Sequence, residues 1–136
     1  MQKKKVLILC TGNSCRSIMA EALINARLGD CVEAQSSGVK ASGRVNPNAQ
    51  ALLEERGLWR EGYHSKVIET VLDSAFDLVV TVCDHAQESC PTFPKVVKTI
   101  HIAFEDPSGK AVEEYAKTLD LIEKELLPVI KTELCD

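Results

Sequence analysis

The sequence of 136 residues lacks a long apolar run, an excess of basic residues and any repeated or low-complexity segment. After Lys3, Lys4 and Lys5 only five apolar residues precede the polar Thr11, which is too short for a signal peptide or a membrane span. The net charge of −4 argues against a nucleic-acid binder, which usually presents a basic face. We therefore expect a cytoplasmic protein with neither membrane nor nucleic acid as a partner.

The composition is that of an ordinary folded chain. Hydrophobic residues make up 45% and charged residues 26%, which favours a packed core over disorder. The length is typical of one domain. We expect a single domain over residues 1–136, in a monomer.

Apolar strand-like segments alternate with helix-like segments along the chain. The predicted strands cover residues 6–10, 31–36, 78–83 and 97–102, and the predicted helices cover residues 15–28, 48–56, 66–74 and 111–131. This alternation predicts an α/β fold, a single domain with a four-stranded parallel sheet flanked by helices.

Six cysteines are many for a chain of this length. Without an export signal we expect a reducing compartment, in which cysteines are free, metal-bound or catalytic. Cys31 and Cys135 are expected to be incidental. Cys15 is expected to pack beneath the neighbouring loop, with a protective disulfide to Cys10 as the alternative.

An anion-binding loop is predicted between the first strand and the first helix. A helix N-terminus offers unpaired amides and a partial positive charge to a tetrahedral oxyanion, and Gly12 would let the backbone curl so that the amides point inward. The residues predicted to form the oxyanion-binding loop after Cys10 are Thr11, Gly12, Asn13, Ser14, Cys15 and Ser17.

Two side chains complete this loop. Arg16 can offer a planar fork to two oxyanion oxygens. The same charge and the loop amides are expected to lower the pKa of the Cys10 thiol and make it a nucleophile, with Ser17 as a hydroxyl donor to the thiolate. The alternative is that Cys10 merely ends a buried strand.

The pattern Cys-x5-Arg-Ser after an N-terminal strand, together with Asn13, resembles the low-molecular-weight tyrosine phosphatases and the arsenate reductases that share their fold. The resemblance spans essentially the whole chain. It implies a low-molecular-weight phosphatase-like fold, with Cys10 as nucleophile and Arg16 as oxyanion ligand.

Asp106-Pro107 follows the last predicted strand. The carboxyl ends of parallel strands share one edge of a sheet, so Asp106 is expected near Cys10, where its carboxyl group could protonate a departing oxygen. The alternative is an ordinary turn. The resemblance implies that this Asp-Pro is the general acid motif of the family.

Two further thiols are Cys83, which ends the buried strand at 78–83, and Cys90, seven positions later. A Cys83 thiolate could attack the sulfur of a Cys10–arsenic adduct, releasing arsenite, and Cys90 could then exchange with Cys83. Residues 84–89 would span about 9 Å as a helix, whereas a disulfide needs Cα atoms within about 7 Å, so this segment is expected to rearrange on oxidation. The alternatives are two inert thiols, or a zinc site with His85.

The spacing of these thiols and the Pro91 that follows match the resolving pair of thioredoxin-coupled arsenate reductases. The resemblance therefore implies arsenate as substrate and thioredoxin as the partner that supplies electrons, with no metal or organic cofactor. The first competing function is a phosphatase that uses Cys10, Arg16 and Asp106 on phosphotyrosine or a small phosphoester. The second is a thiol sensor that captures arsenite without turnover.

Two features bear on substrate and ions. Ser108-Gly109 stands where phosphatases of this fold carry aromatic residues, which favours a small inorganic substrate. Some reductases of the family hold potassium, and Asn13, Glu21 and Ser36 resemble three of its four ligands. Lys66 stands at the fourth position, so its ammonium group could replace the ion, and potassium activation is doubtful. The alternative is that Lys66 is a solvated residue at a helix start.

Overall fold

The computed structural model describes residues 3–71, 74–83 and 97–135. Its strands are β1 (Lys4–Cys10), β2 (Val32–Gly38), β3 (Leu78–Thr81) and β4 (Lys98–His101). Its helices are α1 (Arg16–Leu28), α2 (Pro47–Glu55) and α3 (Val112–Ile130), with a 3-10 turn at Ile68–Thr70 and a π-helical turn at Lys131–Cys135.

The four strands form one parallel sheet in the order β2-β1-β3-β4. The middle strand β1 carries apolar side chains on both faces, from Val6 to Leu9, and all of them are fully buried. A parallel strand covered on both sides has no solvent face, which explains the continuous apolar run. The predicted α/β fold with a four-stranded parallel sheet is confirmed.

The helices bury the residues that recur at helical spacing. In α3 the buried set includes Leu119, Ile122, Leu126 and Ile130, and this face packs against α1. The spacing of three or four residues places these side chains on one side of the helix, towards the core. No helix in the described part of the chain is both long and apolar enough to cross a membrane.

The carboxyl ends of the strands meet at one edge of the sheet. Beyond β3 the chain continues beside β1, because the Val82 amide donates to the Leu9 carbonyl at 3.0 Å. Beyond β4 the Phe104 amide donates to the Val82 carbonyl at 3.0 Å. These extensions carry Cys83 and the segment before Asp106 towards Cys10.

The helix predicted over residues 66–74 is wrong in extent, since the described residues there form only the 3-10 turn at Ile68–Thr70. Val67 keeps an extended backbone, with φ −78° and ψ 151°, and bridges Gly38 of β2. The Gly38 amide also donates to the Lys66 carbonyl at 2.9 Å. Pairing with the sheet therefore holds the start of this segment out of a helix.

Cys31 and Cys135 form a disulfide, with Cα atoms 5.8 Å apart. This corrects the prediction that both residues are incidental and that the cysteines are free. The π-helical turn after α3 brings the C-terminal segment back to the loop before β2. The bond spans 104 residues of sequence, so it closes a large loop of the unfolded chain.

We predict that removing this bond lowers the free energy of unfolding by about 2 to 5 kcal/mol, because the unfolded chain regains conformational freedom. The measurement is urea unfolding of oxidised wild type against the double variant Cys31→Ser/Cys135→Ser. The same comparison under dithiothreitol is the control, since both proteins then lack the bond. Equal stability of the two proteins without reductant would contradict the prediction.

Candidate active site

The loop between β1 and α1 is held from outside through its carbonyl groups. Four amides of the segment after β2 donate to them: Val39 to Cys10 at 3.0 Å, Lys40 to Thr11 at 2.9 Å, Ser42 to Gly12 at 2.8 Å and Asn46 to Ser14 at 2.8 Å. Among the described residues, the amides of positions 12–15 donate no backbone hydrogen bond. They remain available to an anion at the N-terminus of α1.

A cavity of about 170 Å³ opens at this loop, lined by residues 10–16 and by Asp106. Its walls combine backbone amides, the Arg16 guanidinium group and the Cys10 thiol. A small tetrahedral oxyanion needs donors on several sides at once, and this arrangement provides them.

Asn13 shapes the loop from within. It adopts a left-handed backbone, with φ 50°, and is fully buried. Its Nδ2 donates to Ser17 Oγ at 2.8 Å and to Ser36 Oγ at 2.9 Å, while its Oδ1 accepts from the Lys66 amide at 2.8 Å. Three hydrogen bonds thus hold an unusual conformation that asparagine tolerates better than most residues.

This finding corrects the role assigned to Gly12. The φ of Gly12 is not positive, and an added Cβ would lie 3.6 Å from the nearest atom, Ser14 Oγ, which is ordinary contact. The curl of the loop therefore depends on Asn13. Ser17, predicted as a donor to Cys10, is occupied as the acceptor of the Asn13 bond, and its donation to Cys10 stays a prediction.

Gly38 is a structural requirement that the sequence analysis missed. A Cβ at this position would lie 2.5 Å from the Thr11 carbonyl oxygen and 3.1 Å from the Asn13 nitrogen. The end of β2 can approach the loop only without a side chain. The available signal was a glycine two positions after the predicted strand at 31–36.

Arg16 and Asp106 meet at the mouth of the cavity. Arg16 Nη1 donates to the Phe104 carbonyl at 3.1 Å, and its Nη2 lies 3.6 Å from Asp106 Oδ2. The guanidinium side chain is 14% exposed and the carboxylate side chain is 48% exposed. Asp106 Oδ1 accepts from the Ser108 amide at 3.0 Å, so the carboxyl group is directed by its own turn.

Two of the predicted relay thiols lie at the same site. Cys10 and Cys83 are both buried, and an interaction with Cys83 is the largest influence on the pKa of the Cys10 thiol. The Thr11 hydroxyl lies 3.1 Å from Cys83 Sγ. Cys90, His85 and the segment 84–89 fall outside the described residues.

The pKa of the Cys10 thiol is raised, contrary to the prediction. The hydrogen bond with Cys83 and burial both favour the neutral thiol. The positive charge of Arg16 and the Thr11 amide lower the pKa, but they are outweighed. Burial also raises the pKa of Cys15 to about 12, so this thiol stays protonated at neutral pH.

The residues predicted as cation ligands form a hydrogen-bonded chain beneath the loop. Asn13 donates to Ser36, and Ser36 donates to Glu21 Oε1 at 2.6 Å. The pKa of Glu21 is raised, because burial outweighs the bond from Ser36 and the charges of Lys66 and His64, which lower it. The structure brings Asn13, Glu21 and Ser36 together and places the charge of Lys66 close enough to act on Glu21.

Sequence similarity identifies the family. The model of "Low molecular weight phosphotyrosine protein phosphatase" matches residues 5–134. The chain belongs to this family. A similar protein, the arsenate reductase of Brevibacillus brevis, is 43% identical over 120 residues, which cover 88% of this chain and 89% of the relative.

Solved structures of both activities resemble the chain. An arsenate reductase from Archaeoglobus fulgidus has a TM-score of 0.78 at 35% identity, covering 92% of this chain and 98% of that one. A low molecular weight protein tyrosine phosphatase from T. tengcongensis has a TM-score of 0.81 at 30% identity, with 96% and 99% covered. A thioredoxin-dependent arsenate reductase of Corynebacterium glutamicum has a TM-score of 0.74 at 26% identity, with 96% and 63% covered.

We predict that Gly38→Ala lowers the free energy of unfolding by about 1 to 3 kcal/mol, because the added methyl group forces the loop and β2 apart. Gly12→Ala is the matched control, since its methyl group meets nothing closer than ordinary contact. Thermal unfolding of the two variants beside wild type makes the comparison. If the Gly38→Ala protein were as stable as the Gly12→Ala protein, the end of β2 would not lie close to the loop at position 38.

Proposed function

We propose that this chain is an arsenate reductase that uses Cys10 as nucleophile and Cys83 as the thiol that completes the reduction. The observation that carries the proposal is the placement of a second buried thiol, Cys83, beside the oxyanion loop, where its Sγ lies 3.1 Å from the Thr11 hydroxyl. Hydrolysis of a phosphocysteine needs only one thiol and water. A second thiol beside the first can instead displace arsenic from the first sulfur and reduce it, leaving a disulfide.

Arsenate would enter the cavity as a tetrahedral anion. The loop amides and Arg16 hold its oxygens, while Asp106 lies at the open side. The turn after Asp106 carries Pro107, Ser108 and Gly109, so it offers no aromatic wall for a phenyl ring. A small inorganic substrate suits this site better than a phosphotyrosine.

The raised pKa of Cys10 means that the thiol meets its substrate with the proton attached. An arsenate dianion is itself a base, and it accepts this proton as it enters. The transfer yields a Cys10 thiolate beside a monoanion without changing the net charge of the buried site. The thiolate attacks arsenic, and Asp106 gives a proton to the departing hydroxide, which leaves as water.

The reduction follows by thiol exchange. Cys83 Sγ attacks Cys10 Sγ, an S–S bond forms and the S–As bond breaks, while the thiol proton of Cys83 passes to an oxygen of the departing arsenite. Arsenic leaves as arsenite with the electron pair of that bond, so arsenic gains two electrons and two thiols become one disulfide. The Thr11 hydroxyl, 3.1 Å from Cys83 Sγ, is placed to donate a hydrogen bond to the attacking sulfur.

The disulfide is returned to thiols through Cys90 and an external dithiol. Cys90 attacks Cys83, which frees Cys10, and thioredoxin reduces the Cys83–Cys90 bond. The thioredoxin-dependent reductase of similar fold supports this choice of partner. The relatives named arsenate reductase support the substrate. We place the cycle in the cytoplasm.

A phosphatase is the second candidate function, supported by the family match and by the similar tyrosine phosphatase structure. It would use the same loop, Cys10, Arg16 and Asp106. Since this chemistry is shared, a weak phosphatase side activity is expected of the reductase as well.

We also propose that the enzyme needs no metal and no added potassium. Asn13, Ser36 and Glu21 satisfy one another by hydrogen bonds, and the charge of Lys66 acts on the Glu21 carboxylate. The ammonium group of Lys66 therefore supplies a positive charge near the Glu21 carboxyl group.

We predict arsenate-dependent oxidation of NADPH by wild type in the presence of thioredoxin and thioredoxin reductase. Cys83→Ser abolishes this turnover, because the arsenic adduct on Cys10 has no thiol to displace it. The same variant retains any aryl phosphate hydrolysis, which needs only the loop, Arg16 and Asp106. The two rates are followed by absorbance in parallel assays.

A trapping experiment is the control. In Cys90→Ser the reaction stops after one turnover at a Cys10–Cys83 disulfide, which peptide mapping identifies. Brisk aryl phosphate hydrolysis by wild type without any arsenate-dependent oxidation would instead establish the phosphatase.

We predict that replacing potassium chloride by choline chloride leaves the kcat and KM for arsenate of wild type within about twofold, because the protein carries its own cation at this position. In Lys66→Met the carboxylate loses that charge, and we expect potassium to raise the activity of this variant. A several-fold potassium activation of wild type would refute the proposal.

A further inference from the structure

Asn46 contacts three parts of the protein. They are the oxyanion loop after β1, the turn at 106–109 that carries the candidate acid Asp106 (the acid turn), and the core. Its backbone amide donates to the Ser14 carbonyl at 2.8 Å. Its Nδ2 donates to Ser108 Oγ at 3.4 Å and to Tyr115 Oη at 3.1 Å. One residue thus contacts the loop that binds the oxyanion and the turn that carries the acid.

Apart from the buried Pro107, the residues of this turn are exposed. Both Asp106 and Ser108 lie at the surface, and the Asp106 carboxylate contacts Arg16 only at 3.6 Å. The Ser108 amide donates to Asp106 Oδ1 at 3.0 Å, so the position of Ser108 directs the carboxyl group. A contact that fixes Ser108 therefore helps to fix the acid, together with the packing of Pro107.

Tyr115 provides a rigid reference for this contact. It lies near the start of α3 and is 1% exposed, and it is among the largest fully buried side chains. A buried ring in a packed core keeps one position. The Asn46 amide group, held by the Tyr115 hydroxyl, can then act as a fixed donor towards the turn.

We propose that Asn46 is a positioning residue for the general acid, which sets the Asp106 carboxyl group over the anion loop through Ser108. The inference rests on the proposed function, because it assigns Asn46 a part in the protonation of the departing oxygen. It concerns the side-chain amide nitrogen of Asn46 only.

A second role of Asn46 has to be separated from this one. Asn46 is the N-cap of α2, and its Oδ1 accepts from the amides of Asn48 at 2.9 Å and Ala49 at 3.3 Å. Serine is an equally good N-cap but is too short to carry the distant amide nitrogen. Asn46→Ser therefore keeps the cap and the backbone bond to Ser14, and it removes the contacts with Ser108 and Tyr115.

The test compares steady-state arsenate turnover of wild type, Asn46→Ser and the matched control Asn48→Ser. Asn48 is exposed in the first turn of α2. We expect Asn46→Ser to lower kcat about tenfold while KM stays within about twofold, because a misplaced catalytic group slows chemistry and leaves the loop intact. Asn48→Ser keeps the kcat of wild type.

A double-mutant cycle shows whether the effect passes through the acid. In an Asp106→Asn background, Asn46→Ser is expected to cause no further loss of kcat, since the group that it positions is gone. An additional tenfold loss in that background, or a rise of KM with kcat unchanged, would overturn the proposal. Ser108→Ala is the second variant if Asn46→Ser does not fold, and it is expected to lower kcat with KM unchanged.

Failure of the proposed function can be distinguished from failure of the role of Asn46. If wild type does not reduce arsenate, that function fails, and the same variants are compared in aryl phosphate hydrolysis, which also needs the acid. There Asn46→Ser lowers kcat for a poor leaving group more than for a good one. Equal losses for both leaving groups would reject the role of Asn46.

Discussion

The parallel pairing of β1 with β3 fixes the positions of both reactive thiols. Leu9 is paired with Thr81, and the bond between the Val82 amide and the Leu9 carbonyl continues the pairing by one residue. Cys10, at the end of β1, and Cys83, just beyond β3, therefore lie at the same edge of the sheet. A shift of one residue would turn every side chain of the strand to the other face and separate the thiols.

The oxyanion loop takes its shape from the chain that packs around it. The segment after β2 binds its carbonyl groups, and Asn13 holds its sharpest bend through three side-chain hydrogen bonds. Because the carbonyls face outward, the amides are left to face the cavity. Donors fixed in this way need little reorganisation when charge develops on a bound anion.

The charge balance at Cys10 links the fold to the proposed chemistry. Arg16 alone would favour a thiolate, but burial and the neighbouring Cys83 thiol favour the protonated form. The same contact that makes the second thiol available for the reduction keeps the first one neutral in the free protein. In the proposed reaction the arriving arsenate dianion takes the proton of Cys10. The Cys10 thiolate therefore forms only when the substrate is bound.

The sequence by itself determined the parallel sheet and the loop after β1, because apolar runs and local strand-to-helix order are encoded by neighbouring residues. Tertiary structure alone decided that Cys31 pairs with Cys135, 104 positions away, and that the bend lies at Asn13, whose partners come from β2 and the segment that follows α2. It also decided the direction of the Cys10 pKa. Burial and contacts between distant residues set these properties, and neither can be read from local spacing.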